Sequence, residues 1–155
     1  MNKDIHKGGC LCGHVRYKTY GRSELTGVCH CRYCQLRTGS AFATLIYFPF
    51  ERFEITSGDL RRHEFLSESE KRWQTNFCEK CGSTVFIELE IFEGLIGVEA
   101  GTFYPPTFWF DVSNEVFIRS KAHFVGDIVT INKDDTFFSY EPKNGENPRL
   151  SSSQN

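Results

Sequence analysis

A chain of 155 residues that is 39% hydrophobic and 25% charged fits one globular domain with one sizeable core, and excludes collagen-like, coiled-coil and wholly disordered architectures. Lys+Arg 18 against Asp+Glu 20 gives a net charge of -2, which supplies no electrostatic footprint for a nucleic acid or an anionic membrane. Residues 1–7 are polar and no apolar run of membrane-spanning length follows, so the sequence predicts a cytosolic chain with neither signal peptide nor membrane span.

Aromatic residues make up 15% of the chain, a content that favours strands. In chain order, alternation or β-branched and aromatic enrichment predicts strands at 15–20, 41–48, 52–56, 61–66, 72–77, 84–89, 95–100, 116–124 and 128–131. Turn chemistry separates them: Ser57-Gly58-Asp59, the solvated Ser67-Glu68-Ser69-Glu70, and Asn132-Lys133-Asp134-Asp135. The spacing is that of a mainly β, antiparallel domain with few short helices. One helix is expected at 31–37, stopped by Gly39, and a further helical turn at 107–112 after Pro105-Pro106. The domain is expected to span 1–141, with 142–155 a polar, disordered tail.

Seven cysteines fall into three groups: Cys10-Leu11-Cys12, Cys29-His30-Cys31-Arg32-Tyr33-Cys34 and Cys78-Glu79-Lys80-Cys81. In a reducing compartment, closely spaced thiols in odd number read as metal ligands or a catalytic thiol, and clustered thiolates select zinc. Cys12-Gly13 and Cys81-Gly82 share an ending in which glycine lets the backbone curl so that its amides face a thiolate. These two knuckles are therefore expected to share one structural zinc through Cys10, Cys12, Cys78 and Cys81. The interval from Cys12 to Cys78 far exceeds the about 12 to 20 residues of a compact zinc ribbon. The competing pairing joins Cys31 and Cys34 to Cys78 and Cys81. Cys29, Cys31 and Cys34 remain without a fourth cysteine, and three protein ligands are what a catalytic zinc uses. The same trio also reads as a site closed by a histidine or carboxylate, or as buried thiols without metal.

Gly8-Gly9-Cys10-Leu11-Cys12-Gly13-His14-Val15-Arg16-Tyr17, the second cysteine group with Gly39-Ser40-Ala41-Phe42, and Phe77-Cys78-Glu79-Lys80-Cys81-Gly82-Ser83 together resemble the glutathione-dependent formaldehyde-activating enzyme family, also known as the centromere protein V domain. The resemblance runs from about residue 7 to about residue 124. It implies a β-tent, or Mss4-like, fold of antiparallel sheets stapled by zinc, with two zinc ions per chain. It also implies a four-cysteine structural site, a three-cysteine catalytic site and carbon-sulfur lyase activity of the S-(hydroxymethyl)glutathione synthase kind. The chain departs from the family pattern at Gln35 and at Thr75-Asn76, where basic residues are common. It departs again at Gly101-Thr102-Phe103-Tyr104-Pro105-Pro106, and His123-Phe124 takes the place of a late tryptophan.

Other residues have plainer readings. His30, between two ligands, either orients the site or simply packs, and His14, His63 and His123 read as surface or core histidines. Arg32 and Arg37 are either exposed or partners for a substrate carboxylate, and the aromatic segment 103–110 is either core or the wall of a pocket. The leading functional expectation is a zinc enzyme acting on a small-molecule thiol or thiol-aldehyde adduct. The alternatives are a non-catalytic zinc-stabilised binding module and, against the charge balance, a zinc-ribbon nucleic-acid binder. A pocket over residues 29–34 would separate the first from the second.

Overall fold

The computed structural model describes residues 4–142. In chain order its strands are β1 (Ile5–Gly9), β2 (Arg16–Tyr20), β3 (Leu25–Cys29), β4 (Ala43–Pro49), β5 (Phe53–Ser57), β6 (Leu60–Leu66), β7 (Arg72–Cys78), β8 (Thr84–Leu89), β9 (Leu95–Glu99), β10 (Asn114–Val116) and β11 (Asn132–Lys133), with one α-helix, α1 (Arg32–Thr38), between β3 and β4. A small sheet has the order β1-β2-β5, and a large one the order β11-β10-β3-β4-β9-β8-β7-β6. Pairings are antiparallel except at one edge of the large sheet, where β10 runs parallel to both β3 and β11.

The alternation in β4 explains how the layers stack. Ile46 and Phe48 enter a cluster with Val15, Tyr17, Val98 and Phe103, which fills the space between the two sheets. Leu45 and Tyr47 enter a second cluster with Ile87, Leu89, Cys31 and Cys34. Side chains of successive strand residues point to opposite faces, so a strand apolar at every position must be covered on both. One face of the large sheet therefore carries the small sheet, and the other carries α1.

Several segments differ from the sequence expectation for identifiable reasons. The strand expected at 116–124 lasts only from Asn114 to Val116, because Phe117 turns into the left-handed region at φ 57° and a 3-10 turn follows at Ile118–Ser120. Residues 128–131 are irregular, and pairing occurs instead at Asn132–Lys133, within the stretch read as a turn. The segment 107–112 makes only a turn at 107–108, and of the expected tail only residue 142 lies among the described residues. β1 and β3, whose residues carry no periodic apolar pattern, flank the first two cysteine groups. The β6–β7 connection is the expected solvated hairpin turn, closed by the Ser67 N–H on Lys71 O at 2.9 Å and the Glu70 N–H on Ser67 O at 2.9 Å.

Gly58 joins β5 to β6 at φ 86°, and a Cβ there would lie 2.3 Å from the His14 carbonyl oxygen and 2.8 Å from Val15 Cα. Backbone on one side and positive φ on the other leave no room for relaxation. Gly58→Ala is expected to lower stability by about 2 kcal/mol, which for a chain of this size is a fall in Tm of roughly 5 °C measured by calorimetry.

Candidate functional site

The connections β1–β2 and β7–β8 are built alike. In each, an amide closes onto a cysteine carbonyl, Gly13 N–H on Cys10 O at 3.1 Å and Gly82 N–H on Cys78 O at 2.9 Å. Both glycines sit at positive φ, 83° and 74°, the conformation that makes the turn tight enough for amides to face sulfur. Accordingly the Val15 N–H donates to Cys10 Sγ at 3.2 Å and the Lys80 N–H to Cys78 Sγ at 3.4 Å. Cys10, Cys12, Cys78 and Cys81 come together with all four sulfurs within 4.8 Å of one another. Ser83 braces the pair of knuckles, accepting the Leu11 N–H at 3.1 Å and lying 3.2 Å from Cys81 Sγ. Its hydroxyl and then its amide pull the Cys81 thiol down to about 5.

The second cluster takes Cys29 from the end of β3 and Cys31 and Cys34 from the start of α1, again within 4.8 Å of one another. Cys31 is the N-cap of α1 rather than its first residue, and its sulfur accepts the Cys34 N–H at 3.4 Å. Cys34 is buried and held well below the usual thiol range, first by hydrogen bonds from Cys29 and Cys31 and further by Arg37. The same hydrogen bonds push Cys29 well up. Adjacent anions in a buried site repel one another, so three neighbouring sulfurs are best satisfied by a shared cation. Three mutually adjacent sulfurs, all able to ionise once a cation arrives, are a donor set suited to zinc, as is the four-sulfur cluster. Among the described residues, no histidine, carboxylate or further cysteine joins the trio.

Two polar pairs flank it, and both were hidden from the sequence. Arg37, read as exposed or substrate-facing, is instead half-buried with its side chain turned inward, donates to Cys34 Sγ at 3.6 Å and pairs with Glu99 at the end of β9. His30 is fully buried, with Nε2 2.9 Å from Glu115 Oε1. Glu115 is also fully buried and is reached by Lys121 Nζ at 2.8 Å. The first residue of each pair was visible as a candidate, but the acidic partner lies 62 or 85 positions away in the chain. Arg32 hydrogen-bonds Gln35 Oε1 at 2.7 Å, and Gln35 Nε2 in turn donates to Ala41 O and Ser120 O, so the position that departs from the family pattern braces α1.

Over the trio opens a cavity of about 220 Å³. Cys29, Cys31 and Cys34 line it together with apolar groups from β3, β4, β7 and β8 and with Phe137, Phe138 and Tyr140. Arg32, Glu68, Lys71, Arg119 and Asp134 supply its charged lining. The aromatic segment 103–110 does not reach it. Phe103 and Trp109 pack with the small sheet instead, Trp109 stacking on His6 at 3.6 Å between ring centroids. His14 lies 3.8 Å from Asp59 Oδ2 and 3.9 Å from Glu79 Oε1 at the surface, and His63 stacks on Phe65. His123 packs edge-on against Phe124, away from the cavity lining.

Residues 5–120 match the family model described as glutathione-dependent formaldehyde-activating enzyme. Among solved structures, the crystal structure of a Rhodobacter sphaeroides protein superimposes with a TM-score of 0.50 at 20% identity, covering 67% of this chain and 95% of that one. That likeness is one of fold. Both sulfur clusters fall within the matched residues, whereas Phe137, Phe138 and Tyr140 lie beyond them.

A structural zinc contributes about 10–16 kcal/mol to folding, comparable to or larger than the about 5–15 kcal/mol net stability of a domain. Cys78→Ser is therefore expected to give insoluble or molten protein, seen as loss of near-ultraviolet circular dichroism. An unchanged melting temperature with full zinc content would contradict the four-cysteine assignment. Three thiolates hold an ion less firmly than four, so titration with a mild chelator should release one zinc before the other. Simultaneous release, followed by metal-indicator absorbance, would count against an open trio.

Proposed function

The chain belongs to the glutathione-dependent formaldehyde-activating enzyme family, and from that premise we propose that it is a zinc-dependent enzyme that forms or breaks the carbon-sulfur bond of a thiol-aldehyde adduct. Cys10, Cys12, Cys78 and Cys81 hold the structural ion and Cys29, Cys31 and Cys34 the catalytic one, two per chain. The observation that carries this reading is the cavity lined by the trio: a purely structural zinc site has no need of a cavity beside its ligands. The same cavity weighs against the binding-module alternative.

In the forward direction a thiol adds to a carbonyl carbon, the carbon-sulfur bond forms, and the thiol proton passes to the carbonyl oxygen. The reverse step breaks that bond and returns the proton. Zinc at the trio would supply Lewis acidity, favouring the substrate thiolate or drawing charge onto the carbonyl oxygen. The protein's own groups do the rest. Arg37, anchored by Glu99, directs a hydrogen bond at Cys34 Sγ and moderates the negative charge gathered there. His30, held by Glu115, fixes the backbone between Cys29 and Cys31, and the His30 N–H donates to Val116 O at 3.1 Å. The apolar walls reduce the contact of the adduct with water, which strengthens charge interactions beside them. Glu68 lines the same cavity and has a buried Oε2 without a hydrogen-bond partner among the described residues, which leaves an acceptor for a polar group of the adduct.

Cys31 belongs to the trio and takes no part in the four-sulfur cluster. Cys31→Ala is accordingly expected to leave the fold standing, to lower bound zinc from two ions to one by native mass spectrometry, and to cost at least about a hundredfold in turnover of a thiol plus aldehyde mixture. Activity equal to wild type, over a panel of glutathione and other small thiols, would favour the binding module.

A further inference from the structure

We infer that the aldehyde-derived part of the substrate carries an apolar, ring-sized group, so that the natural adduct is larger than that of a one-carbon aldehyde. This rests on the reading that the trio handles a thiol-aldehyde adduct, and specifies what the cavity is shaped to hold.

Volume is the first argument. Cavities of roughly 150 Å³ lined by aliphatic and aromatic side chains accept a benzene molecule, and the space over the trio measures about 220 Å³. That is room for a ring and the reacting carbon. It falls short of the roughly 300–1,000 Å³ that encloses a drug-sized ligand, so an extended polar thiol carrier such as a tripeptide has to lie largely outside. A one-carbon aldehyde would leave most of the space unfilled.

Lining chemistry is the second. Leu45 and Tyr47 form the part contributed by β4, Trp73 that of β7, Phe92 the turn after β8 and Phe137 the closing segment. Phe92 meets Tyr47 and Phe137 edge-on, at centroid distances of 4.9 and 5.6 Å, an arrangement that presents ring edges and faces to a further ring. The groups able to meet the charged ends of a thiol carrier, Arg32, Lys71 and Arg119, come from the start of α1, the β6–β7 turn and the segment after β10.

The third is the origin of the closing wall. The Phe117 N–H donates to Thr136 O at 3.1 Å and the Glu141 N–H to Ser69 Oγ at 3.3 Å, so residues 136–141 are tied down on both sides of the opening. Phe117 and Tyr140 meet at 5.2 Å, and Arg119 donates to Tyr140 Oη at 3.0 Å. This wall follows the end of the family match at residue 120, so the apolar enclosure owes part of its form to a segment outside the shared pattern.

The test compares formaldehyde, isobutyraldehyde and benzaldehyde with one common thiol on the zinc-loaded protein, each rate divided by its uncatalysed rate. Benzyl alcohol, which has the ring but no carbonyl, serves as a binding probe followed by tryptophan fluorescence. The expected result is an acceleration for benzaldehyde at least about tenfold above that for formaldehyde, and saturable binding of benzyl alcohol. Leu25→Trp, which fills the cavity from β3, should abolish that binding and reverse the aldehyde preference. Should this variant fail to fold, the wild-type series decides alone. Equal or greater acceleration for formaldehyde overturns the inference while leaving the carbon-sulfur function in place. Saturable benzyl alcohol binding with no aldehyde accelerated supports the ring subsite and overturns the carbon-sulfur reading instead.

Discussion

Four sulfurs from two knuckles, with Cys12 and Cys78 66 positions apart, must lie within contact distance of one another, and the relative placement of the two sheets follows from that requirement. The first knuckle closes β1 onto β2 in the small sheet, and the second closes β7 onto β8 in the large one. A shared ion would therefore lock sheet to sheet at one edge, while Tyr17, Phe48 and Phe103 fill the interior behind it. Apolar burial could draw the sheets together without it, but burial is non-directional and tolerates sliding. Thiolates on one ion do not, which is why the glycines that shape the knuckles matter as much as the ligands.

The large sheet carries two duties on opposite faces of the same strands. Ile46 and Phe48 hold the small sheet, and Leu45 and Tyr47, which alternate with them in sequence, wall the cavity. A one-residue slip of β4 would exchange the two sets, so the register that stabilises the core also shapes the site. At the far edge, parallel pairing of β10 with β3 sets Glu115 opposite Val28 and Val116 opposite Cys29. That pairing delivers the carboxylate which fixes His30, and through Lys121 it holds the start of the segment that goes on to close the cavity.

What the sequence disclosed and what it hid divide along the range of the interaction. Cysteine spacing and the glycines after Cys12 and Cys81 act within five residues, so the trio and the two knuckles could be read directly, while the joining of the knuckles rested on their shared Cys-Gly ending against a competing pairing. β1 and β3 could not, because Ile5-His6-Lys7-Gly8-Gly9 and Leu25-Thr26-Gly27-Val28-Cys29 offer glycine and charge where a periodic pattern expects apolar side chains. Their pairing partners, not their propensities, make them strands. Glu99 and Glu115 each resemble an ordinary solvated carboxylate in sequence, whereas in the fold Arg37 meets the first and His30 and Lys121 meet the second. The polar stretch Asn132-Lys133-Asp134-Asp135 reads as a turn, yet its backbone pairs with β10 and receives the Ile118 and Arg119 amides. The cavity wall that depends on it was correspondingly invisible.

Arg37 and Glu99 form an electrostatic frame beside the trio. A dication held by three thiolates carries one net negative charge, which is costly in an apolar setting unless a cation stands beside it. Arg37 supplies that cation at Cys34 Sγ. A guanidinium buried against one sulfur would itself be under-satisfied, and Glu99 takes its other side, keeping it charged and aimed. Glu99 in turn is pushed up to about 7 by burial, with Arg37 pulling against it. Sulfur, guanidinium and carboxylate thus form a chain in which each charge answers the one before it. The chain approaches the trio from the α1 and β9 side, so the cavity side needs no compensating charge at its floor. Apolar walls can therefore reach the sulfurs directly, which is what allows a site built on ionised thiols to open into a hydrophobic space.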